Sequence, residues 1–264
     1  MTPSKLGDIR VSVADGVAEL TLDRPDDNAL TLTTASELTQ FLVSLRTGTT
    51  IRALLLTAKG RRFCVGADMQ GDAGRAPAQP LEHRYAYESY TLLFNTMWQL
   101  ELPMVTAVNG TVAGAGWLLA LLADLVVADE NARWTHAFAR RALLPHAGDP
   151  YYLTRVVPFR RLMEISLLSD PVTSTTLERW NVVNLAVPAE DVLATARQLA
   201  RRLANGPTRT LGVAKQLYRR ALDATPPFAA ADERASVALI STTRDRGEGV
   251  ASFKENRQPE FTGE

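Results

Sequence analysis

The sequence predicts an α/β fold built on a parallel sheet, followed by a carboxyl-terminal region made only of helices. Strand-like and helix-like patterns alternate through the first half of the chain, which favours parallel pairing joined by right-handed crossovers. From residue 191 onward the chain carries amphipathic helical patterns and no strand pattern. At 264 residues the chain is long enough for one large domain, or for one domain with a small appendage. We place the core at residues 1–200 and the helical region at residues 201–264.

The elements are predicted from periodicity and from end signals. Strands are expected at 9–13, 17–22, 52–58, 104–108, 125–128 and 182–186, with a strand or turn at 133–138. Helices are expected at 35–45, 82–101, 116–122, 148–157, 162–168, 175–180, 191–205, 208–223, 228–243 and 248–255. Asp15-Gly16 separates the first two strands and indicates a hairpin. Thr33 or Thr34 is the expected cap of the first helix, with Glu37 completing a capping box.

The small-residue triplet Gly114-Ala115-Gly116 lies at the entrance of a buried helix. Such a run lets the backbone approach a ligand and directs unpaired N–H groups at it, which suits a developing negative charge. Close helix packing would explain the same residues equally well. A dinucleotide-binding fingerprint would need a third small residue and an early βαβ unit, and both are missing.

Two loops in the first half have distinct compositions. Residues 59–62 combine a lysine and two arginines near a glycine, which suits phosphate binding but also suits a solvated basic loop. Residues 71–80 are rich in Gly, Ala and Pro without periodicity, which predicts a mobile loop in a position where it would act as a lid.

Composition excludes several classes of protein. Lys plus Arg and Asp plus Glu both number 29, so no whole-chain field attracts nucleic acid or an anionic membrane. The longest apolar run is too short to span a bilayer. The single cysteine, Cys64, excludes an intramolecular disulfide framework, and the three histidines (His83, His136 and His146) are too widely spaced to favour a metal site. The absence of a secretory signal pattern predicts a cytoplasmic protein.

Five segments along the chain carry short motifs. They are Arg24-Pro25 with Asn28-Ala29-Leu30, Phe63-Cys64-Val65-Gly66-Ala67-Asp68, residues 103–116, Ala142-Leu143-Leu144-Pro145, and Phe253-Lys254-Glu255-Asn256-Arg257. In this order, and over nearly the whole chain, they resemble the crotonase family, also called the enoyl-CoA hydratase/isomerase family. The resemblance implies a spiral core of repeated ββα turns, a helical carboxyl-terminal region used for trimerisation, and trimers often paired into hexamers.

The resemblance also implies an acyl-CoA thioester as substrate, with coenzyme A present only as part of that substrate and no separate cofactor or metal. Family members hold the thioester oxygen between two backbone N–H groups that stabilise an enolate. The matching positions are Ala67 and Ala115, the second of which is usually glycine in the family. Alanine retains the N–H, so the site is preserved if the backbone at Ala115 keeps a negative φ.

The chain departs from the hydratases at both proton-transferring positions. The two hydratase glutamates match Leu118 and, counted back from Pro145, Phe138. Addition of water needs a base and an acid, which these side chains do not supply. The sequence therefore argues against ordinary hydratase activity.

Other family members, among them dienoyl-CoA isomerases and chlorobenzoyl-CoA dehalogenases, keep an acid just after the position of Pro145. His146 stands there, and Asp149 follows at i+3, where a helix would let it orient the imidazole. We therefore take His146 with Asp149 as the candidate general base, the alternative being a loop histidine beside a helix cap; His136 is assigned a structural role. Trp117, Leu118 and Phe138 are expected to form an apolar acyl pocket, although plain core packing explains the two aromatic residues as well.

Contacts to the coenzyme A portion follow only from the resemblance. The residues concerned are Arg24, Asn28, Ala29, Leu30, Arg62, Cys64, Val65 and Asp68, with the two arginines expected to reach phosphates. A family lysine that meets the nucleotide of a neighbouring subunit matches Asn256, which leaves Lys254 or Arg257 as substitutes.

Two functions of different classes remain. The first is an enzyme, namely an acyl-CoA isomerase, hydrolase or C–C lyase that works through an enolate. The second is an acyl-CoA-binding carrier or regulatory protein that keeps the pocket without turnover. Nucleic-acid binding ranks far below both, because the chain lacks the net basic charge.

Overall fold

A computed structural model describes residues 4–71, 80–85 and 87–264. Its strands are β1 Ser4–Leu6, β2 Ile9–Ala14, β3 Val17–Leu22, β4 Ala53–Ala58, β5 Arg62–Cys64, β6 Met104–Val108, β7 Thr111–Ala113, β8 Leu125–Asp129, β9 Arg133–Thr135, β10 Val172–Thr173 and β11 Leu185–Val187. Its helices are α1 Pro25–Asn28, α2 Leu32–Ser44, α3 Pro80–Tyr85, α4 Glu88–Gln99, α5 Gly116–Leu121, α6 Asp149–Val156, α7 Phe159–Leu168, α8 Ser174–Arg179, α9 Val192–Ala204, α10 Thr208–Ala221, α11 Pro226–Ile240 and α12 Arg244–Glu255.

Two sheets form the core. The larger has the order β1-β2-β3-β4-β6-β8-β11, with β1 to β3 antiparallel and the remaining pairs parallel. The smaller has the order β10-β9-β7-β5, in which β5, β7 and β9 are parallel. The successive pairs β4–β5, β6–β7 and β8–β9 each contribute one strand to each sheet, which produces the repeated ββα pattern. The predicted α/β class and the helical carboxyl-terminal region are confirmed.

Helix α9 covers one face of the larger sheet with a stripe of small side chains. Its buried residues are Val192, Ala196, Ala200 and Ala204, which recur every four positions and therefore lie on one face of the helix. They pack against sheet residues such as Leu55 and Val105 in a cluster separate from the main core. This helix spans residue 200, where we placed the boundary between core and helical region.

Two sequence predictions about helix ends are wrong. Thr31 caps α2, because its hydroxyl accepts the Thr34 N–H at 2.9 Å, and the capping box with Glu37 does not form. The helix expected at 82–101 is divided into α3 and α4, and the buried face of α4 carries Tyr90 and Phe94. Tyr90 and Phe94 also line the pocket of the candidate site.

Helix α10 is anchored to the core by buried polar contacts. Lys215 donates to Asp124 at 2.7 Å and to the Leu102 carbonyl at 2.8 Å. Arg219 donates to the other Asp124 oxygen at 2.9 Å, and Arg52 on the core side donates to the Gly206 carbonyl at 2.7 Å. At least the first helix of the carboxyl-terminal region thus packs on its own chain.

We expect Gly212→Ala to destabilise the protein. Gly212 lies in α10, where a Cβ atom would stand 2.1 Å from the Glu101 carbonyl oxygen. Overpacking of this kind costs about 1–3 kcal/mol of unfolding free energy, which urea denaturation would measure. Gly247→Ala is the matched control, because no atom lies within 4 Å of its Cβ position and alanine favours a helix by about 1 kcal/mol over glycine. Equal stability of Gly212→Ala and wild type would contradict this packing of α10.

Apart from its two ends, the loop predicted over residues 71–80 lies outside the described residues. Within the described ranges, every helix is too short or too polar to cross a bilayer.

Candidate functional site

Two loops that follow neighbouring strands meet at the centre of the candidate site. Strands β5 and β7 are parallel neighbours, so the segments after them, 65–67 and 114–116, leave the sheet at the same edge. Gly66 has φ +98°, and a Cβ atom there would lie 3.0 Å from the Ala113 carbonyl oxygen and 3.2 Å from the Ala115 nitrogen. Only glycine permits this conformation together with this approach.

The amides of Ala67 and Ala115 face no hydrogen-bond acceptor within the described part of the chain. Ala115 has φ −58°, so the alanine is accommodated without strain. Both residues line one pocket, although they are separated by 48 positions in the sequence (115 − 67). The fold therefore places two unbonded N–H donors at the same cavity.

The walls of this pocket are largely apolar and aromatic. The aliphatic and aromatic lining residues include Val65, Leu118, Leu143, Tyr87, Tyr90, Phe94 and Phe138. Tyr90 donates its hydroxyl to the Leu30 carbonyl at 2.6 Å, and burial raises the pKa of this phenol. Apart from the two tyrosines, the ionisable side chains of the described lining are Arg141, His146 and Asp149.

The His146 imidazole is held between two aromatic rings. Its centroid lies 4.3 Å from that of Tyr87 and 5.4 Å from that of Phe138. The ring nitrogen Nδ1 lies 2.9 Å from the Leu144 carbonyl oxygen. Because a carbonyl can only accept, Nδ1 carries the hydrogen, and Nε2 of the neutral ring keeps its lone pair.

The predicted pairing of Asp149 with His146 is wrong. The Asp149 carboxylate binds Nε2 of His136, at 3.1 Å and 3.2 Å from its two oxygens. Ala147 and Gly148 have φ values of +57° and +87°, so α6 begins only at Asp149 and the i+3 spacing does not place the two side chains on one helix face. The histidine regarded as structural is thus the partner of this carboxylate.

Trp117 does not contribute to the described lining of the pocket. Its ring is fully buried and packs edge-on against Trp134 at 5.2 Å and against His136 at 6.0 Å. The next residue of α5, Leu118, points to the cavity instead, and Phe138 lines it as predicted. The tryptophan belongs to the core behind the site.

The segments expected along the coenzyme A path lie side by side. The Leu30 N–H donates to the Gly66 carbonyl at 2.8 Å, and the Asp68 N–H donates to the Leu30 carbonyl at 2.9 Å. The Asn28 amide donates to the carbonyls of Lys59 and Arg62, both at 2.9 Å, and so fixes the turn before β5. Ala29 and Leu30 are buried, whereas Val65 is half-buried.

The charged residues of this region already have partners. Arg24 donates to Asp68 at 2.8 Å and lies 3.4 Å from Asp8, while Arg62 forms an ion pair with Asp27. A phosphate would have to compete with these carboxylates for either guanidinium.

Cys64 and Arg257, two further residues suggested for contacts to coenzyme A, are respectively buried and already paired. Cys64 is fully buried, and burial raises the pKa of its thiol to about 12, so it remains a neutral thiol near neutral pH. At the end of α12, Arg257 binds Glu248 and Glu255 at 2.6 Å each.

Sequence reasoning missed the three aromatic side chains at the start of α4 and the role of His136. Tyr87, Tyr90 and Phe94 are spaced by three and four residues, a pattern that indicates one helix face. The pair of small residues Ala147-Gly148 before Asp149 was the available sign that the helix starts late. No group of three or more metal-ligating side chains occurs in the ranges that the structure covers.

Comparisons with known proteins agree with this architecture. The sequence model described as "Enoyl-CoA hydratase/isomerase" matches residues 12–264. A Rhodobacter capsulatus protein named "Probable enoyl-CoA hydratase" is 37% identical over 97% of this chain and 98% of its own. The 1,2-epoxyphenylacetyl-CoA isomerase of Escherichia coli is 35% identical over 95% of this chain and 97% of its own.

Solved structures agree as well. The crystal structure of enoyl-CoA hydratase from Bacillus anthracis superimposes with a TM-score of 0.90 at 26% identity, covering 98% of this chain and 100% of that one. With the family match extending over nearly all of the sequence and the repeated ββα core in place, the chain belongs to the enoyl-CoA hydratase/isomerase family.

Proposed function

We propose that the protein isomerises an acyl-CoA thioester through an enolate. The thioester oxygen accepts hydrogen bonds from the Ala67 and Ala115 amides, and His146 removes a proton from the α-carbon through Nε2. The observation that carries the proposal is the presence, at one pocket, of two N–H groups and an imidazole nitrogen that have no hydrogen-bond partner among the described residues. Donors fixed at a developing oxyanion stabilise charge that appears only in the transition state.

Isomerisation fits the remaining lining better than hydration. A hydratase must activate water and protonate carbon, yet the positions matched to its two glutamates hold Leu118 and Phe138. An isomerase that shifts a double bond only moves a proton from one carbon of the substrate to another. Similarity to a protein named 1,2-epoxyphenylacetyl-CoA isomerase supports this choice.

The acyl group is proposed to carry a ring or another flat unsaturated unit. Tyr87, Phe94 and Phe138 line the pocket, and aromatic faces and edges pack favourably against such groups. A hydrolase or a C–C lyase would use the same polarised thioester, so these reactions belong in the test.

A second candidate is an acyl-CoA carrier or regulatory protein without turnover. It is favoured by one observation, which is that Leu118 and Phe138 bring apolar side chains where hydratases carry acids. This candidate requires binding of the ester and predicts no chemistry.

A panel of acyl-CoA esters separates these candidates. We expect conversion of 3-enoyl-CoA to 2-enoyl-CoA esters, followed by absorbance, with no hydration of 2-enoyl-CoA. Saturated, aryl and 3-oxoacyl esters would report hydrolysis or C–C cleavage. The assay is run with a chelator and without added cofactor, because we propose a reaction that needs neither a metal nor an organic cofactor. If calorimetry detects binding but no ester is converted, the carrier or regulatory function is the candidate that remains.

We propose that the protein forms a trimer or a hexamer, and that it is located in the cytoplasm. Several large apolar side chains of the carboxyl-terminal helices are exposed in the single chain, among them Leu222, Phe228, Val237 and Leu239. An apolar surface of this kind is typical of an interface. Sedimentation equilibrium should give three or six times the chain mass, and a monomer at micromolar concentration would contradict the proposal.

A further inference from the structure

A buried histidine–carboxylate pair lies against the candidate site and has no part in the function proposed above. His136 is fully buried and Asp149 is 2% exposed. Nε2 of His136 lies 3.1 Å and 3.2 Å from the two carboxylate oxygens, so its hydrogen is shared between them. Within the described residues the carboxylate has no other hydrogen-bond partner, and Nδ1 of His136 has none at all.

Asp149 also lines the pocket, on the same short turn as His146. The Asp149 N–H donates to the His146 carbonyl at 3.1 Å, which ties the two residues together. Gly148, between them, has φ +87°, and a Cβ atom there would lie 2.5 Å from the Tyr152 ring, so the turn requires glycine at this position. Two ionisable side chains are therefore fixed beside one cavity.

A purely structural role explains this pair poorly. Burying a carboxylate costs several kcal/mol unless it is well paired, and a single shared hydrogen bond leaves most of its acceptor capacity unused. Among the described residues, Nδ1 of the fully buried His136 imidazole has no partner either, which adds a second polar group without structural compensation.

We propose that Asp149 is a second proton-transferring residue of the pocket and that His136 is its positioning residue. The inference rests on the proposed isomerisation and extends it. His146 starts as the base and Asp149 as the carboxylate that His136 holds through its Nε2–H. The proton that His146 removes passes to Asp149, which delivers it to the other carbon.

The proton balance closes within the pocket. The α C–H bond of a 3-enoyl-CoA breaks, its proton goes to Nε2 of His146, and the electron pair enters a dienolate whose charge lies on the thioester oxygen. The His146 imidazolium then gives this proton to the Asp149 carboxylate. The O–H bond so formed breaks as the proton forms a C–H bond at the γ-carbon, which leaves the 2-enoyl-CoA and returns both residues to the starting state.

Two reactions separate the proposed roles. Exchange of the α-protons of phenylacetyl-CoA in deuterium oxide needs one base and the two amides, whereas conversion of 3-hexenoyl-CoA to 2-hexenoyl-CoA needs protonation at a different carbon. We expect Asp149→Asn to keep exchange within about threefold of wild type and to lose isomerisation by about 100-fold, as for removal of a general acid. His146→Ala should lose both reactions.

His136 variants test positioning rather than folding. His136→Ala should lower kcat for isomerisation by about tenfold or more with KM unchanged, and His136→Gln, whose amide can still donate to Asp149, should recover part of the loss. This comparison decides the matter if Asp149→Asn proves unstable, and the melting temperature is measured for every variant.

The outcomes distinguish this inference from the proposed function. Isomerisation by Asp149→Asn at the wild-type rate, or equal loss of exchange and isomerisation, would overturn the role of Asp149 and leave the enolate mechanism standing. A wild-type protein that binds both esters and catalyses neither reaction would remove the proposed function, and the inference with it. Equal kcat values for His136→Gln and His136→Ala would overturn the positioning role.

Discussion

Replacing Ala115 by proline is expected to remove most turnover while leaving the fold intact. Ala115 has φ −58°, within the range that proline imposes, and its N–H makes no hydrogen bond to the described residues. Gly114, which precedes it, has no Cβ atom to clash with the proline Cδ. The substitution therefore deletes a donor that folding does not use.

Loss of one oxyanion donor lowers kcat by about 10²–10³, or about 3–4 kcal/mol of transition-state stabilisation. We expect kcat/KM for the best ester of the panel to fall by this factor, with the melting temperature close to that of wild type. The proline ring also occupies the space where the thioester oxygen would sit, so the measured loss should be at the upper end.

Ala115→Gly is the matched control. It keeps the N–H and is expected to retain activity within a few-fold of wild type, at a small cost in backbone entropy. Full activity of the proline variant would mean that the thioester oxygen is bound elsewhere. Equal loss in both variants would point to the conformation of the loop rather than to the donor.

The sequence was sufficient for the class of fold because its signals are local. The hairpin at Asp15-Gly16, the buried strand at 104–108 and the amphipathic helices each depend on residues close together in the chain. Strands β5 and β7 have only three residues each, too few for periodicity to reveal, and they exist because each has a neighbour to pair with.

The candidate site was predictable only in part, for a related reason. The motifs led to Ala67, Ala115 and His146 by resemblance, and the structure brings these residues to one pocket. The partner of Asp149 depends on left-handed backbone at Ala147, which a non-glycine residue seldom adopts and which moves the start of α6. No spacing rule applied to a continuous helix could have identified His136.

The orientation of α5 shows the same limit at a finer scale. Trp117 and Leu118 are consecutive, and a rotation of about 100° per residue separates a side chain in the core from one in the pocket. The start of α5 at Gly116 was predicted correctly. The direction in which its side chains point depends on the contact of Gly116 with the Cys64 carbonyl, and the local sequence does not contain that contact.

Substitution of His146 should produce the other large effect. His146→Asn is the sharper choice, because the Asn amide can donate to the Leu144 carbonyl as Nδ1 does, at 2.9 Å in the wild type, and yet provides no base at the position of Nε2. Removal of a general base typically costs about 10²–10⁴ in rate. We expect a fall of that order in kcat, with KM changed only a few-fold because the two amides and the aromatic walls remain.

Leu144→Ala controls for disturbance of the loop, since its side chain is 82% exposed while its backbone carbonyl is the acceptor for His146. It should leave kcat unchanged. If His146→Asn keeps wild-type turnover, the base lies elsewhere in the pocket, and Asp149 is the residue to test first because it is the remaining carboxylate of the described lining. If His146→Asn and Leu144→Ala both lose activity, turnover depends on the shape of the loop. The loss in His146→Asn then does not show that Nε2 of His146 acts as the base.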